Sequence, residues 1–216
     1  MAELQKTYIF ADSDDGRERV IDELENYFKN MEIPDSIVTA LNDSVNSIID
    51  KGPNDTPNSE IDDYKNTSNV YELEFNLNKA IKNKMILLAQ GKNPDLSLLD
   101  SAASFIDEHT GIQYWSAFVN NIKQYSPEDA VLWLRAKISA EFCKNYYDSY
   151  DKWKTALNYA TLGLRALENS KDRRIKFDLT QRIQFILFNF YGYYELSIFL
   201  GERFLNSCKL IGYKLR

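Results

Sequence analysis

Twice near the C-terminus an aromatic residue is followed, three and seven positions on, by a small one, and this spacing restricts what those segments can form. Trp153 leads to Ala156, Ala160 and Gly163, and Tyr194 leads to Ser197 and Gly201. Residues so spaced share one helix face, and small side chains there let a neighbouring helix approach closely. Each pattern follows an aromatic-rich segment that also has helical spacing. The chain therefore predicts helical hairpins with a common packing scheme, stacked on one another. Such stacks favour a binding surface over a reaction centre.

Helical spacing extends through most of the remainder. Ser13–Asp15 offers an N-cap with acids in the first turn, and Val20, Ile21, Leu24, Tyr27, Phe28 and Met31 follow at helical intervals. Pro34 ends that run; Ile37, Val38, Leu41, Val45, Ile48 and Ile49 mark the next, which Gly52-Pro53 closes. Residues 1–50 thus read as an acidic helical hairpin, with Thr7–Phe10 ahead of it as a short strand or extended arm. Residues 51–69 are rich in Gly, Pro, Asn, Asp and Ser, a composition that predicts a loop or linker. Residues 70–216 then form a helical repeat-like domain. Its helices begin near Tyr71, at residues 95 and 112, at Ser126-Pro127, and at Trp153, Ile175 and Tyr194. No hairpin of alternating strands is visible, and the expected fold class is all-α.

Charge is divided unevenly along this chain. Residues 1–75 hold 18 Asp/Glu and 6 Lys/Arg, whereas residues 76–216 hold 14 and 20, within a net charge of −6. Solvated helix faces account for this most simply; the alternatives are an acidic part screening a basic one in cis, or a basic part meeting an acidic partner. Cys143 and Cys208 lie in apolar helical runs and suit a reducing compartment. The first residues do not form a charged-then-apolar leader, and no apolar run approaches the ~20 residues needed to cross a bilayer. These features predict a cytoplasmic chain without a membrane partner.

The tail resembles tetratricopeptide-like repeats, in which pairs of antiparallel helices stack into a superhelix. Trp153, Ala156, Ala160 and Gly163 match the family's second helix, as do Tyr194, Ser197 and Gly201, with Gly192 at the turn. Phe204, and Lys144 and Phe185 at the small first-helix position, depart from the pattern, and no Pro closes either copy. The resemblance spans about residues 135–211 and competes with an irregular helical bundle. It implies a concave groove lined by each first helix, and by position it places Glu141, Asn145, Arg182 and Asn189 there. It also implies an exposed last face, which self-association or further chain would cover.

Reactive chemistry finds little footing. His109 is the sole histidine and sits by a helix end, where a capping role suits it, and no Arg precedes it at the spacing of an all-helical ribonuclease centre. Asp62-Asp63 and the acids at 12–15 lack calcium-loop spacing, and phosphate-binding glycine loops, nucleophile elbows and Cys-x-x-Cys pairs are missing. No cofactor or metal is implied, and no enzyme. Lys171, Arg173, Arg174, Lys176 and Arg182 cluster at a turn and the start of the next helix. They read as a solvated turn, or as a contact for phosphates or an acidic peptide. The leading expectation is a non-enzymatic scaffold or adaptor that binds a protein or peptide. A nucleic-acid or phosphate-binding protein using residues 171–182, and a self-assembling structural subunit, are the alternatives.

Overall fold

Ser13 accepts a hydrogen bond from the Gly16 N–H at 3.2 Å and so starts a helix whose Val20, Ile21, Leu24 and Phe28 are buried. This pattern of a cap followed by one apolar face recurs along the chain. The computed structural model describes residues 1–54, 61, 64–66, 69–147, 152–168 and 172–210, though not the side chains of Lys65 and residues 207–210. Among the described residues there are ten α-helices and no strands: α1 Ala2–Ile9, α2 Asp14–Asn30, α3 Asp35–Lys51, α4 Val70–Ala89, α5 Ser97–Thr110, α6 Trp115–Ile122, α7 Pro127–Tyr147, α8 Trp153–Ala166, α9 Arg173–Tyr191 and α10 Tyr194–Leu210. The protein is all-α. Thr7–Ile9, read from sequence as a strand or extended arm, belong to α1, with Tyr8 buried and its ring 5.7 Å from that of Phe199. Within residues 51–69, Ile61 is buried and Tyr64–Asn66 form a 3₁₀ turn, with the Tyr64 ring packed edge-on against Phe105.

Helix α7 is the hub. It carries buried residues on every side, including Ala130, Trp133, Leu134, Ile138, Ser139 and Cys143, and so needs neighbours all round. It packs most extensively on α8 and also against α3, α4 and α9. Helix α8 lies against α7 and α9, and α9 pairs with α10. The small residues of the twice-used pattern lie at these contacts. Ala156, Ala160, Gly163 and Ser197 are buried, and a Cβ on Gly163 would stand 2.6 Å from Leu179 Cδ1 of α9 and 3.0 Å from Ser139 Cβ of α7. Only a glycine lets three helices meet this closely.

Helices α2 and α3 pack on later helices, α2 on α8 and α3 on α4, α7 and α8. Arg165 of α8 donates through Nε and Nη2 to the Phe28 carbonyl, at 3.3 and 2.9 Å, and through Nη2 to the Met31 carbonyl. These carbonyls end α2 and have no partner inside the helix, so a cation there meets both their hydrogen-bonding need and the dipole. Arg203 of α10 faces Glu18, Asp22 and Glu25 of α2 at 3.3, 3.5 and 3.9 Å. The acidic first third of the chain thus brings three carboxylates to one guanidinium of the last helix. No helix among the described residues is long and apolar enough to cross a membrane.

Candidate functional site

Helices α4, α7 and α9 stand side by side, with α7 in the middle. Two clefts open along them. One, of about 510 Å³, runs between α3, α4 and α7 and is lined by Lys51, Asn54, Phe75, Lys79, Lys82, Asn83 and Glu141 among others. The second, of about 340 Å³, lies between α4, α6, α7 and α9 and includes Tyr114, Trp115, Trp133, Arg174, Asp178 and Gln181. Asn78 of α4 and Lys137 of α7 line both, so the two clefts adjoin at these side chains to make one grooved face across the three helices.

Buried carboxylates fix the walls of the second cleft. Asp107, near the end of α5, accepts the Trp115 and Ser116 N–H groups at 3.0 and 2.8 Å and thereby caps α6 from outside its own sequence. Asp172 caps α9 by accepting the Arg174 N–H at 3.0 Å, and also accepts from Trp133 Nε1 at 2.6 Å and Tyr114 Oη at 2.9 Å. One side chain thereby ties the starts of α6 and α9 to the side of α7. Trp115 in turn donates through Nε1 to Glu74 at 2.9 Å, and the Arg174 guanidinium lies over its ring at 4.5 Å.

Comparison with known proteins finds no matching family model, curated protein or solved structure. The site therefore rests on its own geometry.

The groove is more basic than the protein around it. Its lining holds five cations, Lys51, Lys79, Lys82, Lys137 and Arg174, and three acids, Glu141, Asp172 and Asp178. Each acid is engaged: Glu141 with Lys82 at 3.1 Å, Asp178 with Arg182 at 3.0 Å, and Asp172 as above. Lys137 is half-buried and makes no hydrogen bond or ion pair with the described residues. Burial holds its ammonium below the ordinary lysine pKa, against the opposing pull of Glu141. Arg174 Nη1 is buried and has no hydrogen-bond partner among the described residues.

Of the residues singled out from sequence, Glu141 and Arg174 line this groove. Asn145 is exposed on α7 outside both linings, and Asn189, also exposed, donates to the Phe185 carbonyl at 3.0 Å. Arg182 lies on α9 beside Asp178. Arg173 is exposed; Lys176, also exposed, lines a separate cleft between α2, α8, α9 and α10. Lys171 lies outside the described residues, as do Asp62-Asp63. His109 lies in the last turn of α5, its Nδ1 2.9 Å from the Phe105 carbonyl and its ring 3.9 Å from that of Phe105, tilted by 33°.

The sequence reading missed Asn78, Lys82, Lys137 and Trp115 as groove residues. Lys137 did leave a signal. It falls between Ala136 and Ile138, both buried, where a lysine requires a partner or a purpose.

Proposed function

We propose that this chain is a non-enzymatic helical module that binds a protein partner by taking an extended peptide in the groove across α4, α7 and α9. The observation that carries this reading is the pair of adjoining clefts that share Asn78 and Lys137, which together run along one face of α4, α7 and α9. Its lining suits a peptide. The amides of Asn54, Asn78, Asn83 and Gln181 both donate and accept, as a peptide backbone requires, while Phe75 and the lysine stems supply apolar contact. A row of first helices lining a concave surface is also what a tetratricopeptide-like stack would provide, and the contacts of α7 with α8, α8 with α9 and α7 with α9 support that arrangement.

Asn78→Trp tests this directly, because it fills the trough where the clefts meet. Proteins captured from native lysate by the wild-type chain should be lost from the variant, with its helical circular dichroism unchanged. Identical capture by both chains would remove the groove from the account.

A second reading, a self-assembling subunit, draws on a different surface. Tyr194, Ile198 and Leu205 fall on one side of α10 and are 55%, 54% and 39% exposed, beside Phe185 and Phe188 of α9. An apolar strip of this kind on a terminal hairpin suits a second copy. Ile198→Asp should then shift the mass measured by sedimentation towards the monomer; a wild-type chain that is monomeric at all concentrations refutes it.

A further inference from the structure

Lys137 and Arg174 present an unusual pair of cations. They stand on neighbouring helices, line the same cleft and repel each other, since Arg174 disfavours the charged form of Lys137. Glu141, Asp172 and Asp178 lie within electrostatic reach of Lys137, yet each has its own hydrogen-bonded partner, and none reaches the Lys137 ammonium or Arg174 Nη1. A half-buried ammonium and a buried guanidinium nitrogen without acceptors are costly to maintain in a folded chain. An anion in the cleft would bring acceptors to the Lys137 ammonium and to the Arg174 guanidinium.

Charge and shape narrow the anion. Two donor groups need several acceptors at once, and a phosphate monoester brings three acceptor oxygens and close to two negative charges at neutral pH. The planar Arg174 guanidinium, already held over Trp115 at 4.5 Å, is the donor geometry that phosphate recognition favours. A long polyanion such as nucleic acid fits less well, because the groove offers five cations beside three acids in a chain of net charge −6. The adjoining cleft, lined by Asn54, Asn83 and Phe75, then receives the residues that flank the phosphate.

We infer that the second cleft, at its border with the first, is a phosphate-binding site, in which Lys137 and Arg174 hold the phosphorylated side chain of a peptide laid along the groove. This inference rests on the peptide-binding reading above and adds the chemistry of the peptide. It assigns Asn78 and Gln181, on either side of Lys137, to the remaining phosphate oxygens.

The three tryptophans supply the readout. Trp115 and Trp133 line this cleft while Trp153 does not, so their indole N–H resonances in nitrogen-15 spectra form two reporters and an internal control. The probes are a degenerate peptide library with a fixed central phosphoserine, the same library with serine, the same with glutamate, and inorganic phosphate alone. The phosphoserine library should shift the Trp115 and Trp133 signals saturably and leave Trp153 in place, with an affinity at least about tenfold above the serine and glutamate libraries. Lys137→Met should abolish that preference while its unliganded Trp133 signal stays at the wild-type position. If that variant fails to fold, Arg174→Gln read at Trp133 serves the same purpose.

Equal responses to all three libraries would overturn the phosphate inference and leave the peptide groove standing. A response to inorganic phosphate but to no library would overturn the peptide component and with it the reading above. Unmoved Trp115 and Trp133 signals throughout would dispose of both.

Discussion

Gly163 and Gly201 belong to the two aromatic-and-small patterns, ten and seven positions after the aromatic residue, and their surroundings differ. A methyl group on Gly163 would press against Leu179 and Ser139 within two neighbouring helices, whereas on Gly201 it would meet the flexible end of Gln184. Gly163→Ala should therefore destabilise the fold by about 1–3 kcal/mol in urea unfolding. Gly201→Ala should cost nothing and can gain up to about 1 kcal/mol from helix propensity. The spacing of both glycines was visible in the sequence. The identity of what each one touches was not, because Leu179 and Gln184 reach them only after α9 has packed. Asp172 makes the same point more sharply. In sequence it is one acid in a charged turn; in the fold it is buried and accepts from Trp133, Tyr114 and the Arg174 N–H. Asp172→Ala strands these donors and should cost about 3 kcal/mol or more, seen as a lowered urea midpoint. Lys137 runs the other way. Lys137→Met removes a half-buried charge that has no close partner and should raise stability by about 1 kcal/mol, the usual sign of a residue kept for binding.

Some helices are held at their ends by residues distant in sequence, and here single-sequence reasoning loses its grip. Apolar periodicity marks α2, α3, α4 and α7 well, since Ile21, Leu41, Leu77 and Leu134 are all fully buried. Local caps such as Ser13 are also legible. Distant caps are not: Asp107 serves α6, and Arg165 of α8 satisfies the last carbonyls of α2. Arg165→Met keeps the apolar stem but leaves those carbonyls without a donor. Hydrogen exchange should then quicken in the last turn of α2 and in the α2–α3 connection, with α9 unaffected. Uniform exchange, unchanged from wild type, would mean that Arg165 holds nothing in place. Helix α1 was missed for a related reason. Its apolar residues are few, and Tyr8 gains its contact with Phe199 only when α10 is present.

At the scale of the whole molecule, the groove emerges from the order of helices rather than from any segment. Lys82 and Glu141 are 59 positions apart, and their pairing bridges α4 and α7; the sequence pointed to Glu141 only through a family resemblance. The core that positions these helices is sealed. Burial lifts the Cys143 thiol pKa to about 12, so it stays protonated and unreactive in the native state. In a Cys208→Ser chain, a thiol reagent at neutral pH should label Cys143 only as fast as the protein unfolds. The central claim is that the trough across α4, α7 and α9 receives the partner. A photo-crosslinking phenylalanine can replace Phe75 in the trough, 60% exposed, Phe10 remote from it, 79% exposed, or Tyr194 on the apolar face of α10, 55% exposed. After irradiation in native lysate, the account predicts a discrete protein adduct from the Phe75 position and none from Phe10. An adduct from Tyr194 alone, or equal labelling from all three positions, would contradict it.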